Sequence, residues 1–380
     1  MELNKNKVLE KIADDLNLSD TELDNIITSY EAVGTLLNND TTISLYGDVR
    51  VFPQGSIALG TTVKPLSNSD YDVDMVALVL NNDIDLRTLK GIIGDALKKS
   101  DRYRNRIQKL PNGGKRCWTL NYKDYHMDIL PCKPDPRPAT YKDIKSVIAT
   151  HTDDGFTFRE VYTNPKGYLS WFLDKSNSYL EESKRLFSLE KIKEYPRKTA
   201  LQKIVQLIKR HRDVYFGSQG SLMEQFKPIS IIITTLAANA YRGETDLLIG
   251  LSNVVNGMKT YISKDSFGKY SVINPVNTKE NFADKWNDNS QKASYFFKWY
   301  NQLVKDINEL KTLTSIDFGN RLKALFGKEN VENVYKYFGD ISRKERESGS
   351  LKMDKKSGAI NSVTGVAVAA HTFFGGNDED

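Results

Sequence analysis

Residues 52–80 read FPQGSIALGTTVKPLSNSDYDVDMVALVL. The stretch holds a glycine–serine turn at Gly55 and Ser56, a second bend at Gly60 and Thr61, and then Asp72 and Asp74 at the mouth of an apolar run, 73–80. That run has the length and the Val, Met and Leu content of a buried strand. Side chains alternate faces along a strand, so Asp72 and Asp74 point the same way, about 7 Å apart. Two carboxylates on one face of an apolar strand are costly unless a cation lies between them. A divalent metal is the natural cation, because Mg2+ takes hard oxygen ligands and is commonly shared with substrate phosphates. The glycine–serine turn upstream offers backbone N–H groups and a hydroxyl to such phosphates. An exposed acid pair at an ordinary strand end is the bland alternative, and a third acid decides between them.

That acid comes from residues 117–132, CWTLNYKDYHMDILPC, which alternate on either side of Lys123 and Asp124 as a β-hairpin. Asp128 shares a face with His126 and Leu130 and is out of place in a core strand unless it is used. His126 is read as a strand histidine satisfied within the fold, not as a ligand.

A chain of 380 residues is long enough for two domains or two packed lobes. Its 39% hydrophobic and 27% charged content is that of a globular protein. No apolar run reaches membrane-span length, and MELNKNKVLEK lacks a signal-peptide core. Cys117 and Cys132 cannot build a disulfide framework, so a cytoplasmic location without membrane association is expected. The formal charge of +5 suits an anionic small substrate such as a nucleotide, without arguing for long nucleic acid.

Residues 1–40 read as two helices, the second opened by a Ser19/Glu22 capping box. Asp85 caps a further helix to about residue 99. The basic residues Arg102, Arg104, Arg106, Lys109, Lys115 and Arg116 are read as a solvated edge in preference to a phosphate-facing rim. Residues 131–165 read as a long connection with a short strand near 156–158, before a helix capped by Asn164. The second half is almost all helix. Residues 197–216 carry an apolar stripe, with Lys203, Lys209, Arg210 and Arg212 on the other face. The helix at 228–241 is apolar on nearly every side, with Ser230 in its anion-favouring first turn. Residues 272–286 look like an ordered surface crossover, followed by helices near 287–312, 317–327 and 331–342. The expected class is therefore α+β and bilobal, with a catalytic lobe and spine helices at 1–165, a helical lobe at 166–342 and a flexible tail at 343–380.

The motifs PQGSIALGTTVKP (53–65), DYDVDMV (70–76) and HMDILPC (126–132) resemble the signature of polymerase-β-like nucleotidyltransferases. With NPKGYLSWF (164–172), LIKRHRDVYF (207–216), KPISIIITTLAA (227–238) and NPVNTKENFADKW (274–286), the chain resembles the cGAS/DncV-like nucleotidyltransferases, bacterial enzymes that make cyclic oligonucleotide signals in CBASS antiphage defence. The resemblance implies a mixed sheet with flanking helices and a helical lobe closing the cleft. It implies that Asp72, Asp74 and Asp128 are catalytic and bind two Mg2+ or Mn2+ ions. Gln54, Gly55, Ser56, Lys209 and Ser230 would hold nucleotide, although Arg210 or Arg212 could stand in the place of Lys209. ATP and GTP would be condensed to a purine-containing cyclic di- or trinucleotide, cGAMP-like, with loss of pyrophosphate. The absence of a zinc-binding insertion argues against sensing of long double-stranded DNA. Some members are joined through the C-terminus by a ubiquitin-conjugation-like partner, for which Gly375 and Gly376 would serve. Residues 377–380 follow those glycines, so attachment there implies trimming or another point. The competing readings are a nucleotidyltransferase acting on a separate acceptor (antibiotic, tRNA or protein), or an inactive nucleotide- or RNA-binding module. Three clustered carboxylates argue against the second.

Overall fold

The computed structural model describes residues 4–66, 71–110, 114–176, 189–195 and 197–348, with the backbone of three short strands beyond. Helix α1 (Lys5–Asp15) is followed by α2 (Asp20–Asn39) and the single turn α3 (Thr41–Ser44). Local chemistry sets the start of α2: the Glu22 N–H donates to the Ser19 hydroxyl at 3.3 Å, and the Glu22 carboxylate accepts from the Ser19 N–H at 2.7 Å.

A six-stranded sheet follows. Its strands are β1 (Val49–Gln54), β2 (Tyr71–Val79), β3 (Trp118–Asn121), β4 (Tyr125–Pro134), β5 (Val147–Thr152) and β6 (Phe158–Thr163). The spatial order is β1-β2-β4-β5-β6, with β3 also on β4. Among the paired strands of this sheet only β2 and β4 run parallel. Between strands lie the short helix α4 (Gly55–Leu59), α5 (Leu86–Lys99) and the turn α6 (Asp101–Arg104). One sheet face is buried: Val73, Met75 and Ala77 of β2 and Met127 and Ile129 of β4 pack on Ile26, Tyr30 and Val33 of α2 and Leu89, Ile93 and Leu97 of α5. Each such side chain contributes about 1.5–3 kcal/mol on burial. A one-residue slip would turn that whole set outward, so the alternation is firmly fixed and places Asp72, Asp74 and Asp128 on the opposite face.

The helices α7 (Pro165–Lys175), α8 (Ala200–Gly217), α9 (Ser230–Ala240), α10 (Leu247–Gly257), α11 (Asp284–Asp288), α12 (Ser290–Leu310), α13 (Ser315–Phe326) and α14 (Lys328–Glu347) make up most of the remainder. Two-residue strands β7 (Ser263–Lys264) and β8 (Tyr270–Ser271) pair, as do β9 (Ile273–Asn274) and β10 (Asn277–Asn281). The second core joins α8, α9, α10 and α12 through residues such as Ile204, Ile208, Ile233, Leu251 and Trp299. Val8, Leu9 and Ile12 of α1 belong to this core, so the two N-terminal helices serve different cores.

The α+β architecture is the expected one, and several finer readings are corrected. The stretch 131–165 contributes two sheet strands, β5 and β6, because pairing with the end of β4 outweighs its polar composition. Residues 55–59 form a helix where a loop was expected. On the face of α8 away from its apolar stripe, Lys209, Arg210 and Arg212 are also buried, only 3%, 4% and 8% exposed. Helix α14 continues to Glu347, and short strands β11 (Lys352–Met353), β12 (Ile360–Asn361) and β13 (Val366–Ala367) pair antiparallel. Gly375 and Gly376 lie outside the described residues. Among the described residues no helix is long and apolar enough to cross a membrane.

Candidate active site

Strand β1 runs antiparallel to β2 with Gln54 opposite Asp74, and the chain then turns straight into α4. Gly55 makes that turn at φ +63°, and a Cβ there would stand 2.9 Å from Asp74 Cγ and closer still to Oδ2. Both the backbone angle and the space therefore require glycine. The N–H groups of the first turn of α4 have no intrahelical acceptor and are available to an anion. Behind them the loop folds back: the Thr61 N–H donates to the Ser56 carbonyl at 3.0 Å, and the Ser56 and Thr62 hydroxyls lie 3.1 Å apart.

The parallel pairing of β2 with β4 sets Asp74 directly opposite Asp128 and Asp72 opposite His126. The Thr119 hydroxyl, from β3, donates to Asp128 Oδ1 at 2.5 Å and fixes that carboxylate. Asp74 is half-buried, and its carboxyl is pushed up to about 7, first by burial and then by the charges of Asp128 and Asp72; Lys209 opposes the rise. Asp72, more open to water, is also raised, by the surrounding protein and then by Asp128, against the pull of His126, Arg212 and Lys227. Three mutually repelling carboxylates in a poorly solvated place are stabilised by bound cations, and their oxygens are the donors a hard divalent ion takes. The donor chemistry fits such ions, although among the described residues no group of three or more His, Cys, Asp or Glu side chains is arranged to hold one.

Helix α8 faces this site from the second core. Gln202, Gln206, Lys209 and Arg210 recur along one face and donate to four backbone carbonyls of the loop 59–64. Gln202 reaches Leu59 O at 2.9 Å, Gln206 reaches Thr62 O at 2.7 Å, Lys209 reaches Thr61 O at 3.1 Å and Arg210 reaches Lys64 O at 2.5 Å. Arg212 instead donates to the Ser230 hydroxyl at 3.1 Å and the Pro228 carbonyl at 2.9 Å. The three neighbouring cations thus separate: Lys209 bears on Asp74, Arg212 on Asp72 and Ser230, and Arg210 on the loop backbone. Burial pushes the Lys209 ammonium down to about 7.

A cleft of about 1230 Å³ opens over the carboxylates. Gln54, Gly55, Asp74 and Asp128 line it, whereas Ser56, Asp72, Lys209 and Ser230 do not. Sequence reasoning missed Thr119 and Lys227 as parts of the site, and offered Arg212 only as a stand-in for Lys209. Of these, Thr119 alone had a usable signal, since it alternates in β3 with the residues of the cleft face. Two other readings change here. Lys115 and Arg116 of the basic segment line the cleft as its rim, while Arg102, Arg104 and Lys109 are exposed. Asn274, Glu280 and Phe282, expected in a surface crossover, also line it.

The sequence profile of the Second Messenger Oligonucleotide or Dinucleotide Synthetase domain matches residues 1–177. A curated c-di-GMP synthase from Roseivirga ehrenbergii is 31% identical over 353 residues, covering 90% of this chain and 89% of that protein. In fold, the chain is similar to the CD-NTase CdnG of Bradyrhizobium diazoefficiens, solved with GTP, at a TM-score of 0.65 and 20% identity over 88% of this chain and 99% of that one. It is also similar to CdnC of E. coli, solved with ATP, at a TM-score of 0.57 and 16% identity over 86% and 98% of the two chains.

Proposed function

This chain belongs to the cGAS/DncV-like nucleotidyltransferases, which condense nucleoside triphosphates into cyclic oligonucleotides, and from that premise we propose that its product is a guanine-containing cyclic dinucleotide. The observation that carries the chemistry is the register that places Asp74 opposite Asp128 with Gly55 against Asp74. The base assignment is supported by the c-di-GMP synthase relative and by the GTP complex of the structural relative.

In this reading the donor triphosphate lies along the first turn of α4, on the Gly55 and Ser56 amides, with Gln54 beside it. Arg212, Lys209 and Ser230 carry its charge from the helical side. Two divalent ions, Mg2+ or Mn2+, held by Asp72, Asp74 and Asp128 would neutralise the developing phosphate charge and acidify the acceptor hydroxyl. Asp128, with one oxygen fixed by Thr119, orients that hydroxyl and draws off its proton. The sugar oxygen then bonds to the α-phosphorus while the bond to pyrophosphate breaks. A second round closes the ring.

The test is incubation of purified protein with the four ribonucleoside triphosphates and Mg2+ or Mn2+, followed by phosphatase. A phosphatase-resistant product from GTP, absent with Asp72→Asn/Asp74→Asn, is expected. Consumption only when a separate acceptor is added would overturn the reading.

We further propose a role in antiphage signalling, a cytoplasmic location, and the division into lobes near residue 165. A ubiquitin-conjugation-like partner acting on Gly375 or Gly376 is proposed from the sequence. Deleting residues 366–380 should leave turnover intact and abolish partner attachment; persistent attachment would refute that assignment.

A further inference from the structure

Asp153, Glu160, Glu280, Asp284 and Asp288 also line the cleft and have no part in the phosphate chemistry, and of these Glu280 is held by a buried amide. Glu280, in β10, lines the same cleft as Asp74, together with Thr163 and Arg116. Its Oε2 accepts from the Asn274 amide at 2.8 Å, the Thr163 side chain is its other hydrogen-bonding neighbour, and the Arg116 charge bears on it. Asn274 is 2% exposed and is itself held, its Oδ1 accepting from the Val276 N–H at 3.0 Å, so the carboxylate's direction is fixed. An ionised carboxylate offers about four acceptor positions, so two donors leave it unfinished. Phe282, two residues on, lines the same wall with its ring edge-on to Tyr168 at 6.0 Å.

We propose that Glu280 reads the base of a bound nucleotide as guanine, accepting its N1–H and N2–H, with Arg116 placed to donate to O6 or N7 and Phe282 offering a stacking surface. The assignment rests on the reading that nucleotides occupy this cleft. Guanine alone among the common bases presents two adjacent N–H donors beside a carbonyl, the complement of a carboxylate next to a guanidinium. Adenine presents the unprotonated N1 at that place, which a carboxylate repels. A site built to hydrogen-bond one group rejects an analogue lacking it far more strongly than an apolar pocket does.

The test is calorimetric binding of the α,β-methylene analogues of GTP, ATP and inosine triphosphate to the full chain with Mg2+. The wild type should bind the guanosine analogue about ten-fold or more tighter than the adenosine analogue, and inosine, which lacks the 2-amino group, should lose about ten-fold. Glu280→Gln, which pairs a donor with an acceptor, should abolish or reverse the preference while leaving adenosine affinity unchanged or improved. Equal binding of guanosine and inosine analogues would overturn the assignment, and that comparison needs no variant. An equal loss for both purines in Glu280→Gln would also overturn it, because a merely structural link to Asn274 gives that result. Absence of cyclic product from the wild type would count against the synthase activity instead, leaving these affinity ratios to decide the role of Glu280.

Discussion

Gly55 packs against the Asp74 carboxylate so closely that no side chain can stand between the glycine–serine turn at the end of β1 and the acid that β2 presents opposite it. The turn and the acid are therefore one unit, in which backbone amides and a carboxylate approach the same small volume.

Gly55→Ala tests that unit. A left-handed angle at a non-glycine residue costs about 1–2 kcal/mol, and the new methyl must displace Asp74. Turnover should fall by about 100-fold or more, with a loss of a few degrees in Tm. Near-normal turnover would mean that the carboxylate and the turn adjust independently.

Asp74→Asn should stabilise the metal-free protein at alkaline pH. Folding raises this acid from 3.8 to about 7, so the folded chain holds the proton more tightly than the unfolded one. Wild-type stability from this group is fully present below about pH 4 and is lost as pH rises through 7. The variant's Tm should exceed wild type by about 3 °C or more at pH 8 and converge with it near pH 4. Adding Mg2+ should raise the wild-type Tm at pH 8 and leave the variant's nearly unchanged. Thermal scans across pH with and without Mg2+ measure both effects.

Lys209→Met removes the cation that holds Asp74 down. The Asp74 carboxyl should rise further, so the acidic limb of the pH–rate profile should move to higher pH. KM for the triphosphate should increase by about ten-fold or more, from loss of a charged contact. An unshifted acidic limb would separate Lys209 from Asp74.

Gln206→Leu breaks the bond to Thr62 O, and with it a second one at 2.8 Å to Asn17 Oδ1. An unsatisfied buried carbonyl costs about 1–3 kcal/mol, to be read from urea unfolding. Amide exchange across residues 56–62 should quicken, since α8 holds that loop through its carbonyls. Unchanged exchange there would show the loop to be self-supporting.

Features governed by neighbours in the chain were legible directly. The capping box at Ser19 and Glu22, the Asp85 and Asn164 caps, and the alternation around Asp72, Asp74 and Asp128 all depend on residues a few positions apart. The strands β5 and β6 were not legible, because VIATHT and FREVYT gain their strand character from the end of β4 and from each other. Glu280 hid for the same reason: a charged residue in a polar hairpin looks like surface until Asn274 and Thr163 are seen around it.

The sequence by itself determined that one strand presents two acids to one face after a glycine–serine turn, and that a hairpin supplies a third. Alternation along a strand and the chemistry of carboxylates are local properties, so no tertiary knowledge was needed. What only the tertiary structure decided is which partners those groups meet. Parallel pairing set Asp128, rather than His126, across from Asp74. The approach of α8 made Lys209 and Arg210 buried donors, because the carbonyls of Thr61 and Lys64 replace the water they would otherwise bind. Burial of a charge depends on what another part of the chain brings to it, and that is fixed only when α8 packs against the loop 59–64.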